Sequence, residues 1–170
     1  MFLSLITQRR SIRKYQKKEI ELFKIEILKE AVLRSPSSRN LDPWEFVFVT
    51  DPLLLKQMAD CKEHGSGFVK NAPLAVIVLA DPNQSDVWIE DASIASLYLL
   101  LQAQDLGLGA CWIQIRERKS KKGETSEDFL KKLILIPENL KIEAVIAIGY
   151  SDEYLEPIKK ESLKYTKIHE

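Results

Sequence analysis

Residues 88–114 read WIEDASIASLYLLLQAQDLGLGACWIQ, and this stretch decides the fold. Its first part, Trp88 to Leu106, has neither Pro nor Gly and is rich in helix formers. At ~1.5 Å per residue such a helix would be about 29 Å long. Its apolar residues do not make one stripe. Ile89, Ala92, Ile94, Ala95, Leu97, Tyr98, Leu99, Leu100, Leu101 and Ala103 cover nearly the whole circumference. A helix that is apolar all round is expected to be buried on all sides. A membrane span is the rival reading. It is disfavoured because the uncharged run from Ala92 to Ala103 falls well short of ~20 residues and is flanked by Glu90, Asp91 and Asp105. The chain's own sheet would cover one side, and a second copy the other, so a homodimer is expected. Gly107 supplies the left-handed residue that ends the helix. Gly109 keeps the turn tight, and Ala110 to Ile115 reads as a buried strand.

Working outward, Leu74 to Ala80 is a continuous apolar run, expected as a strand buried on both faces. Glu45 to Thr50 and Ile142 to Ile148 read as two further strands, the last stopped by Gly149. Asp51-Pro52 opens a helix with Asp as N-cap and Pro in the first turn. It ends before Gly65 and Gly67. Lys18 to Arg34 reads as an amphipathic helix with Ile20, Phe23, Ile27, Leu28, Ala31 and Val32 at helical spacing. It stops at Ser35-Pro36, because the residue before a proline is pushed out of the helical region. Phe2 to Thr7 is one or two helical turns. A surface helix from about Glu124 to Leu133 is capped by Thr125 or Ser126. The order ααβαβαβαβ gives a three-layer sandwich of helices on both faces of a sheet. The tail, residues 150–170, carries Tyr154, Leu155, Ile158, Leu163 and Ile168, too many apolar side chains to stay in water. It is expected to pack on the other subunit.

With 170 residues, one domain over 1–170 is expected. Hydrophobic residues make up 45% and charged residues 29%, which suits a soluble globular protein. Lys+Arg and Asp+Glu both number 25, which removes any global pull toward nucleic acid or an acidic membrane. Two basic clusters, Arg9–Lys18 and Arg116–Lys122, remain as local anion sites. Two cysteines, Cys61 and Cys111, do not make a disulfide framework, and Cys111 reads as a small buried hydrophobe. No signal peptide is read at the N-terminus, so the cytoplasm is the expected compartment. His64 and His169 lack a second ligand at metal-binding spacing, and no metal site is expected.

Three stretches carry chemistry. Arg9-Arg10-Ser11-Ile12-Arg13 sets three guanidiniums and a hydroxyl within five residues, a donor set that suits phosphate. A solvated basic turn is the plain alternative. Ser35 to Asn40 is a proline-stiffened loop of hydrogen-bonding side chains, anchored by Pro43-Trp44. It suits a planar heterocycle, or is a plain helix-to-strand connection. Cys111-Trp112-Ile113-Gln114 lies where ligand clefts of open sheets form, at a strand end, or is simply core. Glu90-Asp91 complements the helix dipole.

Taken together, RRSIRKY, SPSSRNLDPWEFVFV, NAPLAVIV, EDASIASLYLLLQAQDLGLGACWI and IPENLKIEAVIAIGY resemble, in this order and spacing, the nitroreductase family of FMN-dependent oxidoreductases. The likeness runs from about Thr7 to Lys160. It implies an α+β fold, a three-layer α-β-α sandwich with a mainly antiparallel sheet of four to five strands. It implies a homodimer with FMN at the subunit interface and the C-terminal tail wrapped on the partner. Arg9, Arg10, Ser11 and Arg13 match the motif for the FMN phosphate, ribityl chain and pyrimidine edge. Pro36, Ser37 and Ser38, with Asn40 in the same motif, match a loop reaching the flavin from the other subunit. Trp112, Ile113 and Gln114 match the segment against the isoalloxazine, where a backbone N–H approaches N5. Lys159 or Lys160 matches a C-terminal basic residue paired with the phosphate.

The flavin would carry the redox chemistry, so no catalytic side chain is assigned. NADH or NADPH would reduce it, and a nitroaromatic, quinone or related acceptor would reoxidise it, in a ping-pong cycle. Arg13 is the candidate cation beside N1 and O2. The sequence departs from the family pattern at Asp42, at Ile115 and at Ser151-Asp152. Two other readings compete: a flavin sensor or store without turnover, and a flavin-free module that binds phosphorylated ligands.

Overall fold

The computed structural model describes residues 1–169. Its central helix, α4, runs from Trp88 to Asp105. The left-handed residue after it is Gly107, at φ +72°. Leu108 N–H donates to Ala103 O at 2.8 Å and Gly107 N–H to Gln104 O at 3.1 Å. These two bonds satisfy carbonyls the helix leaves unpaired at its C-terminus. The chain then reverses into strand β3, Gly109–Gln114, which runs back along the helix.

The other elements are α1 (Phe2–Gln8), α2 (Leu22–Leu33), β1 (Trp44–Val49), α3 (Pro52–Met58), β2 (Leu74–Ala80), α5 (Ser126–Ile134) and β4 (Lys141–Gly149). The four strands form an antiparallel sheet in the order β1-β2-β4-β3. β2 and β4 lie in the middle, and every residue of β2 is buried, as its unbroken apolar run requires. One face packs on α3 and α5 through Leu55, Met58, Phe129 and Leu130, against Ile77 and Val145. The other packs on α2 and α4 through Leu28, Val32, Leu99 and Ala103, against Val76 and Ile146. This is the three-layer α-β-α sandwich. The expected caps also form: the Asp51 carboxylate accepts from Leu53 N–H at 2.7 Å, and the Thr125 hydroxyl from Asp128 N–H at 3.0 Å.

One expectation needs correction. Helix α2 begins at Leu22, not Lys18. Residues 18–21 are held extended by Tyr150: Lys18 Nζ lies 3.7 Å from the centre of its ring, and its hydroxyl donates to Glu21 Oε2 at 2.6 Å. Ile20 still reaches the core from this segment, whereas Phe23 of the helix is exposed. Helix α4 is not covered on all sides within one chain. Ala92, Ala95, Ser96, Leu99 and Ala103 are buried, but Ile94, Leu97 and Tyr98 are 38–48% exposed. The exposed three stand at i, i+3 and i+4, so they form one stripe on the side away from the sheet.

Candidate functional site

The basic segment lies on the outer side of β3. Ile12 N–H donates to Ala110 O at 3.1 Å, and Ser11 bridges Ala110 in parallel. A Cβ on Gly109 would lie 2.7 Å from Cβ of Ile12, so only glycine permits this approach. The Tyr15 hydroxyl pins the segment from the other end, 2.6 Å from Ile12 O and 3.1 Å from Ala147 O. Burial pushes this phenol well above its ordinary range.

The arginines of the motif differ in their commitments. Arg10 donates to the Glu156 carbonyl, so its guanidinium ties down the start of the tail. Arg13 donates to Ser11 O at 3.2 Å and lies 6.0 Å from the Phe68 ring centre. Among the described residues, neither Arg9 nor Arg13 has an ion pair. Both lie close enough to Cys111 to pull its thiol down, against burial, which pushes it up more strongly. The second basic cluster is different. Arg116 pairs with Glu117 and Glu143, and Lys121 with Asp60, so two of its five cations are matched internally.

β3 is an edge strand. Its ladder to β4 uses the odd-numbered residues, as Ile115 N–H donating to Glu143 O shows. Antiparallel alternation therefore turns the N–H and C=O of Ala110, Trp112 and Gln114 to the open edge. Ala110 O is taken by Ile12, which leaves the N–H groups of Trp112 and Gln114 facing outward beyond the basic segment. Cys111, Ile113 and Ile115 point their side chains inward and are 2% exposed or less. Ile113 is thus a core residue. The bulk of Ile115 goes into the core and not toward the edge.

The Ser37–Ser38 loop lies elsewhere. Ser38 N–H donates to Asp91 Oδ1 at 2.7 Å, and the Ser85 hydroxyl to Asp91 Oδ2 at 2.9 Å. Asp91 is 2% exposed. It is more than a charge complementing the helix dipole; it is the post to which this loop is tied. The Ser37 hydroxyl donates to Asp42 Oδ1 at 2.6 Å and accepts from Asp42 N–H at 2.9 Å. Between them, Arg39 and Asn40 sit in the left-handed region at φ 54° and 56°, and Asp42 at 47°. The departure at Asp42 therefore closes the loop.

The loop sits at the N-terminal end of α4, whereas Ser11 sits beside β3 just past the C-terminal end. About 20 Å of helix separates Asp91 from Asp105. One chain does not bring the two groups together. Lys159 and Lys160 form no side-chain ion pair or hydrogen bond among the described residues, and both are exposed. Glu153 was not foreseen. Its Oε1 accepts from Arg13 N–H at 2.6 Å and Lys14 N–H at 3.1 Å. The departure at Ser151 supports it, since the Ser151 hydroxyl accepts from Glu153 N–H at 3.2 Å. No linear pattern links Glu153 to Arg13, 140 residues away.

The sequence profile of the nitroreductase family matches residues 6–65 and 55–150. This chain belongs to the nitroreductase family. A solved "FMN-dependent Nitroreductase" of Clostridium difficile R20291 is 42% identical, with a TM-score of 0.96, covering 98% of this chain and 97% of that one. An Archaeoglobus fulgidus relative named as an NADH dehydrogenase/NAD(P)H nitroreductase is 36% identical over 152 residues, 87% of this chain and 84% of its own length. A Parabacteroides distasonis structure of the same description is 32% identical, with a TM-score of 0.89, covering 99% of this chain and 96% of that one. As a nitroreductase-family protein, the chain is an enzyme, and its α+β fold is the family's.

Proposed function

We propose that this chain is an FMN-dependent oxidoreductase that takes electrons from NADH or NADPH and passes them to nitroaromatic, quinone or related acceptors, acting as a homodimer. The observation that carries this reading is the pairing of the guanidiniums of Arg9 and Arg13, which have no ion pair among the described residues, with the outward N–H groups of Trp112 and Gln114. Cations without carboxylate partners suit a phosphate dianion and an electron-rich pyrimidine edge. Unpaired N–H groups on a strand edge suit the acceptor atoms of a flat heterocycle. The residues present therefore fit FMN. When bound, it supplies the redox step, reduced by the nicotinamide and reoxidised by the acceptor in ping-pong order.

The chain's own residues bind and orient. Arg9 and Ser11 hold the phosphate end, while Arg10 anchors the tail beside it. Arg13 sets positive charge beside the ring. The backbone of Trp112 and Gln114 faces the ring edge, and Ile113 fills the core behind. Lys159 and Lys160 approach the phosphate once the tail is packed. Pro36, Ser37, Ser38 and Asn40 serve the site of the opposite subunit, which is how a loop at the far end of α4 joins it. The exposed stripe Ile94, Leu97 and Tyr98 is the dimer face. The tail, with Tyr154 78% exposed, finds cover on the partner. A groove of about 550 Å³ beside the open edge of β1, lined by Leu33, Trp44, Phe46 and Phe48, suits its apolar side chains. The three departures have internal roles in the loop, the core and the Glu153 turn, which weakens the case for a flavin store. Two buried cysteines with no disulfide suit a reducing compartment.

The test is rapid mixing of the FMN-loaded protein with NADH or NADPH, beside an Arg9→Ala variant. Saturable bleaching of the flavin is expected, and Arg9→Ala should weaken FMN binding about ten- to hundredfold, the loss of one charge-assisted contact. FMN binding without any bleaching would replace turnover by storage. Unchanged FMN affinity in Arg9→Ala would remove the phosphate role.

A further inference from the structure

β4 carries a bulge where it passes the end of β3. Val78 pairs with Ala144 and Leu79 with Ile142, so Glu143 has no partner on β2. Ile142 and Val145 both pack on the α3/α5 face, which strict alternation forbids for residues three apart. Alternation from Val145 would send the Glu143 side chain to that same face, away from Gln114 opposite Ala144. The extra residue frees it from that alternation.

The residue that results is 3% exposed, and both oxygens of its carboxylate are engaged. Its Oε1 accepts from Gln114 Nε2 at 3.2 Å, and its Oε2 from Arg116 Nε at 3.1 Å. The Gln114 Oε1 in turn accepts from the Trp112 indole Nε1 at 3.0 Å. An indole only donates and a carboxylate only accepts, so the Gln114 amide has one orientation available. The amide also donates to Arg116 O at 3.4 Å. The Gln114 side chain is thus spent within the protein, as a strut. The charge of Glu143 is matched by a single guanidinium, 32% exposed.

We infer that Glu143 is a positioning residue for the flavin-facing edge of β3, fixing Trp112 and Gln114 through the Gln114 amide while Arg116 balances its charge. The inference rests on the proposed FMN site. Among the described residues, β3 has no hydrogen-bonded strand on its outer side beyond the Ser11–Ile12 segment, so its edge past Ala110 depends on what holds it from within. Glu143 grips the strand where it ends, by backbone and side chain together, since its carbonyl also accepts from Ile115 and Arg116 N–H at 3.2 and 3.3 Å. Replacing the carboxylate takes away the amide's charged acceptor, removes one buried negative charge and leaves Arg116 paired with Glu117 alone. These changes reach the flavin without Glu143 touching it.

The experiment compares Glu143→Ala, Glu143→Gln and Gln114→Met with the parent protein. FMN affinity is read by flavin fluorescence, and the midpoint potential of bound FMN by redox titration. Glu143→Ala should weaken FMN binding about tenfold and raise the potential. Glu143→Gln keeps an acceptor for the Gln114 amide, so it should recover most of the affinity but keep the raised potential. That split is one a merely structural role would not produce. Gln114→Met buries no unpaired charge, and stands in if Glu143→Ala does not fold; it should weaken FMN binding without raising the potential. Variants with parent affinity and parent potential would overturn the inference, with the FMN site left standing. A parent protein that takes up no FMN would instead overturn the site, and the inference with it.

Discussion

Asp91→Ala should be among the most damaging single changes at the N-terminal end of α4. The carboxylate is buried in the first turn and accepts from Ser38 N–H at 2.7 Å and Ser85 Oγ at 2.9 Å. A hydrogen bond to a charged group contributes about 1.5–3 kcal/mol, so losing both costs about 3–6 kcal/mol. The loss of a negative charge at the helix N-terminus adds about 0.3–1 kcal/mol. Set against a usual total of about 5–15 kcal/mol, this is a large fraction. Asp91→Asn separates the two contributions. Its amide oxygen can accept from Ser38, and its NH2 can donate to Ser85 once that hydroxyl turns, so it should lose about 2–3 kcal/mol, the charge assistance of the two bonds together with the helix-end charge. Urea unfolding at fixed protein concentration measures both. The midpoint should fall further in Asp91→Ala than in Asp91→Asn, with unchanged slope. An alanine variant within about 0.5 kcal/mol of the parent, as an ordinary surface change would be, refutes the role of Asp91 as the loop's post.

Leu97→Glu places a charge on the exposed stripe of α4, so sedimentation should show folded monomer with little FMN; an intact dimer would move the interface elsewhere. Gly109→Ala forces a methyl to within 2.7 Å of Ile12 and should lower Tm by about 2–12 °C, for an overpacking cost of about 1–3 kcal/mol, while weakening FMN binding. An unchanged Tm and FMN affinity would mean that the basic segment is not held against β3. Burial pushes the Cys61 thiol up to about 11 from an ordinary 9.0, so the neutral form is favoured in the fold. That contribution is complete below pH 9.0 and is lost as pH rises through about 11, so the parent's urea midpoint should fall relative to that of Cys61→Ala over this window. Parallel curves, or fast labelling of Cys61 at pH 8 without denaturant, would contradict its burial.

How legible the chain was depended on how many local signals agreed. Helix α4 and strand β2 could be read almost to the residue, because composition, length and the flanking Gly107 or Pro73 all point one way. The start of α2 was misplaced because Lys18 and Glu21 answer to Tyr150, nearly 130 residues later. The basic segment, the Ser37 loop and the Trp112–Gln114 edge were each visible as stretches. Their supports, Asp91 and Glu153, were not, since each is joined by a bond between distant residues. The bulge that carries Glu143 leaves no mark in the apolar run around it. Gln114 was legible as part of that edge, but the tie of its side chain to Trp112 and Glu143 was not.

The most direct test of the FMN-dependent account is the visible absorption spectrum of the freshly purified protein, followed by identification of what it releases on denaturation. The account predicts a yellow protein that releases FMN in about one equivalent per chain. A colourless protein that takes up no added FMN would contradict it.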